Sequence, residues 1–151
     1  NTLIFVRTLS KKIHLSDTFE TRIYLMFIHF SILMIISKKK GMKFDQNTYD
    51  NFFNKVEYDL RELGFGDVTV NKKMKELNQI LYDILLKLDK KKENNEDFKL
   101  NESLVSSYLN ISRQNNKFIY AEFEAYFSHF YNFCFELPLD NMLKEIIKFK
   151  Y

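Results

Sequence analysis

Between residues 45 and 63 the apolar positions Phe52, Phe53, Val56, Leu60 and Leu63 recur at helical spacing, while Asn54, Lys55, Asp59 and Glu62 fall off that stripe. This predicts an amphipathic helix. The pattern is cleaner over residues 71–88. There Met74, Leu77, Leu81, Ile84, Leu85 and Leu88 form one face, and Lys72, Lys73, Lys75 and Glu76 lie off it. Another helical block begins near Asn101, with Leu104, Val105, Tyr108 and Leu109 on its apolar side. KKKENNED, over 90–97, reads as a polar linker, and NISRQNNK, over 110–117, as a loosening of the chain. Residues 1–16 fit either a short helix or an extended arm.

Two stretches are apolar on more than one side. Residues 23–36 read IYLMFIHFSILMII, with no charge and with His29 and Ser31 in the middle. That run is 14 residues long, short of the roughly 20 that a membrane span requires. A buried core helix is the better reading. Asp17 is placed to cap it, and Glu20 three residues on gives a capping-box spacing. Lys38, Lys39 and Lys40 suit the negative end of the helix, and Gly41 can close it. The second stretch, from Phe118 to Phe135 in position, carries nine aromatic residues. A helix so covered lies at the centre of a core or under a partner. Pro138 is expected to break it, and Asp140 to cap a short final helix that reaches Ile147.

Composition narrows the fold. Three Gly and one Pro in 151 residues leave little material for the turns of a many-stranded β protein. The expectation is all-α: one compact helical domain of about five to seven helices over 1–151. An apolar share of 46% excludes disorder for most of the chain. The net charge of +3 does not by itself identify a nucleic-acid binder. A single cysteine, Cys134, excludes an intrachain disulfide and a cysteine-based zinc site. Flanked by Phe133 and Phe135, it reads as a small core residue. His14, His29 and His129 are too scattered for a metal site. No Ser/His/Asp or Cys/His set emerges, so no catalytic residue, cofactor or metal is expected.

Gly64 and Gly66 stand in RELGFGDVTVNKKMKEL, residues 61–77. A dinucleotide loop requires a third glycine where Thr69 stands, after a strand and not a helix. The spacing of a phosphate loop before Lys-Ser/Thr is also absent. Gly64 instead follows the last apolar residue of a helix, where a left-handed residue is favoured. Phe65 can fold back as a hydrophobic anchor, Gly66 permits a second bend, and Asp67 or Thr69 can cap the next helix. The pair reads as a rigid joint between helices.

That joint also carries a resemblance. DLRELGFGDVTVNKKMKELNQILYDIL, residues 59–85, resembles the signature of the ubiquinol–cytochrome c chaperone family at Leu60, Arg61, Glu62, Gly64, Gly66, Asp67, Val70, Lys72, Lys73 and Met74. LSDTFETRIYLMFIHFSILMI, residues 15–35, resembles the family's upstream segment at Asp17, Thr18, Phe19, Arg22 and His29, with Ser16 in place of the usual proline. Order and spacing agree over roughly 13–110, the motif-bearing part. The aromatic helical part, about 116–151, has no matching motif.

The resemblance implies a helical, non-enzymatic assembly chaperone for the cytochrome bc1 complex (respiratory complex III). Its client is newly synthesised cytochrome b, with a ribosome contact and a small partner protein. The implied client- or partner-binding candidates are Asp17, Phe19, Arg22, His29, Gly64, Gly66, Asp67, Lys72, Lys73 and Met74. From the residues alone, His29 reads as a hydrogen-bonded core side chain, Asp17 and Arg22 as an ion pair, and Asp67 as a cap. Client binding calls for an exposed apolar groove beside His29 or the aromatic tail. Lys38, Lys39, Lys40, Lys72 and Lys73 offer peripheral membrane contact, or in the alternative reading a ribosome- or RNA-associated module; no DNA partner is expected. A third class, an enzyme, calls for a deep polar pocket with perturbed pKa values. No transit-type segment is visible, so a bacterial protein at the cytoplasmic side of the inner membrane is expected, with the mitochondrial matrix side as the alternative.

Overall fold

A computed structural model of the chain describes residues 2–13, 15–89 and 98–150. His14 and the polar linker over 90–97 lie outside the described residues. Among the described residues there are seven α-helices and no strand. They are α1 (Thr2–Ile13), α2 (Phe19–Lys39), α3 (Gln46–Glu62), α4 (Asp67–Leu88), α5 (Glu102–Leu109), α6 (Lys117–Glu136) and α7 (Met142–Glu145). Short 3-10 turns, Leu139–Asn141 and Ile146–Lys148, flank α7. The all-α expectation holds, and the ambiguous N-terminal stretch contains a helix over Thr2–Ile13.

The axis is α2, because its sequence is apolar all round and can be satisfied only by neighbours on every side. From Ile23 to Ser37 its side chains are buried except for the partly covered Tyr24 and Met34. At 21 residues α2 is long and apolar enough to cross a membrane, yet 67% of its most apolar window is buried inside the fold. Helices α1, α4, α5 and α6 pack against it. The aromatic residues of α3 close a further side: Phe52 stacks on Phe30 with centroids 4.2 Å apart, and Phe27 meets both Phe52 and Phe53.

The aromatic richness of α6 belongs to this core. Tyr120, Phe123, Tyr126, Phe127, Phe130 and Tyr131 are buried, and Cys134 with them. Burial pushes the Cys134 thiol up to about 12, so it stays protonated. Only Phe118 and Phe135 of the large apolar side chains on α6 are exposed. An aromatic surface left over for a client is therefore not found there. Those rings instead fill the space beside α2 that shorter side chains would leave open.

Three cap expectations need correction. The N-cap of α2 is Thr18, whose Oγ1 accepts the Thr21 amide at 3.2 Å; Asp17 lies one residue outside. The N-cap of α4 is Gly66, in an extended conformation with no side-chain bond, and Asp67 is the first helical residue. Asn141, not Asp140, precedes α7. In each case two adjacent residues could do the work, and the direction of the incoming chain selects between them. Asp45 does cap α3, accepting the Thr48 amide at 3.0 Å. Gly41, with φ of +73°, closes α2. Its amide bonds the Lys38 carbonyl while Met42 reaches back to Ser37, both at 3.0 Å.

Candidate functional site

The lysine run after α2 is built into the fold. Lys38 pairs with Asp89 at 2.8 Å. Lys39 donates to the Tyr131 hydroxyl at 2.9 Å, and Lys40 to the Leu137 carbonyl at 2.8 Å. These contacts tie the end of α2 to α4 and α6.

His29 is also interior, at 1% exposure. Its Nδ1 lies 2.7 Å from the Leu25 carbonyl, which can only accept, so Nδ1 carries the proton. Its Nε2 then accepts from the Tyr126 hydroxyl at 2.9 Å. The rings of Phe127 and Phe130 pack on it at 4.9 and 4.8 Å. Burial lowers its pKa to about 4, against a smaller upward pull from the Leu25 carbonyl. Among the described residues His29 and most rings of α6 are buried, so the apolar surface expected at these places is largely covered.

The apolar groove lies elsewhere, where the start of α2 meets the α3–α4 joint. A cavity of about 150 Å³ is lined by Phe19, Tyr24, Leu60, Leu63, Phe65, Leu77 and Ile80, with Glu20, Lys73 and Glu76 at its edges. A second, of about 240 Å³, lies on the other side of Phe19 and Leu63 and reaches Arg22, Ile23, Met26, Lys55, Asp59 and Glu62. Phe19 and Leu63 line both. Leu63, Phe65 and the neighbouring Val68 are exposed although large and apolar.

The joint holds this arrangement. Gly64 adopts φ of +91°, a left-handed conformation that favours glycine, and donates to the Arg61 carbonyl at 2.9 Å. The Arg61 guanidinium pairs with Glu57 at 3.0 Å and also with Asp67, tying the end of α3 to the start of α4. Lys73 stands 4.9 Å from the Phe65 ring centroid. Phe65 therefore faces α4 and lines the groove together with Leu60 and Leu63 at the end of α3.

The structure thus brings together Phe19, Arg22, Lys73 and the joint at Gly64, Gly66 and Asp67. Asp17 is 3.5 Å from Arg22, but the pair is open to solvent, with side chains 75% and 37% exposed, and not buried. Lys72 points to solvent, and Met74 packs partly on the core. Leu63, Phe65 and Ile80 were not among the expected site residues. The signal was present, because the apolar stripe of α3 continues past the glycine that ends the helix. Among the described residues no group of three His, Cys, Asp or Glu could hold a metal ion.

The family profile described as Ubiquinol-cytochrome C chaperone matches residues 11–142. The chain belongs to the ubiquinol–cytochrome c chaperone family. The match takes in both segments that line the groove and continues through α6, beyond the stretch whose motifs are legible. Membership in this family supports a role as an assembly chaperone with a cytochrome-related client. No curated protein and no solved structure matches the chain.

Proposed function

We propose that this protein is a non-enzymatic assembly chaperone of the cytochrome bc1 complex and holds newly made cytochrome b at the groove between α2 and the α3–α4 joint. The observation that carries the reading is convergence. Two segments, residues 15–35 and 59–85, each resembling the family, line the same apolar groove. Its floor of Phe19, Leu63, Leu77 and Ile80 suits an apolar segment of an unassembled membrane protein. The charged edge of Glu20, Lys55, Lys73 and Glu76 keeps the empty groove wetted at its margin. A ribosome contact, a small partner protein and a place at the membrane surface belong to the same reading. That surface is the cytoplasmic side of a bacterial inner membrane or the matrix side of the mitochondrial one.

The RNA-associated alternative is weakened because Lys38, Lys39 and Lys40 each already hold a partner within the chain. The deciding experiment measures cytochrome b and assembled bc1 complex in cells lacking the protein. Both are expected to fall, with cytochrome b made but unstable. The wild-type chain should restore them and Leu63→Glu should not; because Leu63 is 53% exposed, the variant should keep its fold, which its circular dichroism and melting temperature check. Normal levels of both in the deletion strain overturn the reading.

A further inference from the structure

A separate cleft opens between the end of α1 and the start of α2. It has a volume of about 710 Å³ and is lined by Arg7, Ser10, Lys11, Leu15, Asp17 and Arg22. Arg7, Ser10 and Lys11 follow at helical spacing and so share one face of α1. Three cations stand against one carboxylate. No carboxylate among the described residues pairs with Arg7 or Lys11, and Arg22 meets only the solvent-exposed Asp17.

A second observation lies at the wall of the same cleft. Ser10 is only 8% exposed, yet its Oγ has no hydrogen-bond partner. A buried hydroxyl without a partner is costly and uncommon. Ser31 is the other such group among the described residues, but it is fully enclosed within α2, whereas Ser10 lines an open, cationic space.

We propose that this cleft binds a phosphate group, with Arg7, Lys11 and Arg22 supplying charge and Ser10 Oγ, enclosed in the empty cleft, turning outward to donate to one phosphate oxygen. The chemistry fits an oxyanion better than any cation or neutral ligand. Guanidinium and ammonium groups are donors only, and a phosphate offers several acceptor oxygens at once. The cleft also shares Arg7 and Arg22 with the second cavity of the groove, where Phe19, Ile23 and Met26 form an apolar wall opposite Lys55, Asp59 and Glu62. The headgroup of an anionic phospholipid can therefore lie among the cations while its acyl stem follows that wall. A free phosphate monoester would use the same cations and the same hydroxyl.

This inference does not depend on the client. It is tested with the purified full-length chain and two probes. One is vesicles of phosphatidylcholine with and without phosphatidylglycerol, read by co-sedimentation; the other is glycerol 3-phosphate, titrated by NMR. Binding is expected to the anionic vesicles and not to phosphatidylcholine alone. Arg7→Gln and Lys11→Gln should each weaken it about fivefold, the effect of one basic residue near an anionic surface. Ser10→Ala should weaken binding while leaving the melting temperature unchanged or higher, which a purely structural serine would not do. Saturable binding of glycerol 3-phosphate with the same dependence on Arg7 and Ser10 supports the site and assigns it to a soluble phosphate. Binding of neither probe overturns the proposal. So does a loss no greater in Arg7→Gln/Lys11→Gln than in Lys72→Gln/Lys75→Gln, which removes equal charge elsewhere.

Discussion

His29 is held neutral by the core, and this gives the fold a pH dependence of definite sign. Its folded pKa is lowered from 6.5 to about 4. Between those values the unfolded chain binds more protons than the folded one, so stability is full above about 6.5 and is lost as the pH falls towards 4. The gap corresponds to about 3 kcal/mol for this fully buried ring. Thermal melts at pH 7 and pH 4.5 should show a drop that His29→Gln largely lacks, whatever its starting stability. An equal drop in both proteins would place the acid sensitivity elsewhere. Tyr126→Phe should cost about 1–3 kcal/mol, because Nε2 of His29 loses its donor inside the core. That His29 is interior was legible from its place in an uncharged run. Its partner was not, because Tyr126 lies 97 residues away and no local pattern points to it.

The helices themselves were legible because their periodic stripes are long, and α4 and α6 appear close to where the pattern puts them. Their starts were less so. Thr18 stands beside Asp17, and Gly66 beside Asp67; chain direction, which the sequence does not display, chooses between neighbours with similar capping ability. The two joint glycines consequently have different roles. Gly64 needs its left-handed φ, so Gly64→Ala should destabilise the protein by about 1–2 kcal/mol although space for a methyl group exists. Gly66 has an ordinary extended backbone at an N-cap that lacks a side-chain bond. Gly66→Ser should therefore be neutral or stabilise by a few tenths of a kcal/mol. Urea melts of the two variants separate these roles, and equal destabilisation by both would show that the joint tolerates no side chain at either position.

At the scale of the molecule, pairing of faces is the information that one-dimensional patterns omit. Each stripe announces that it needs a partner without naming it. The aromatic stretch looked like a surface for a client because its own helix could not cover it, and α2, equally unsatisfied, covers it instead. The groove was missed for the converse reason, since Phe19 and Leu63 each complete a core stripe until the segments are brought together. This complementarity predicts that the motif-bearing part does not fold without α6. A chain ending at residue 115 loses Phe123, Phe127 and Phe130, all fully buried. At about 1.5–3 kcal/mol for each ring, and with the facing side of α2 bared as well, the loss consumes most of the roughly 5–15 kcal/mol by which a domain is stable. The shortened chain should show weak helical circular dichroism and no cooperative melt. The full chain should instead melt in one step, with far-UV and near-UV signals coincident. A cooperative melt from the shortened chain would mean that the groove sits on a unit independent of the aromatic helix. In that case α6 would be free to leave α2 when a client binds.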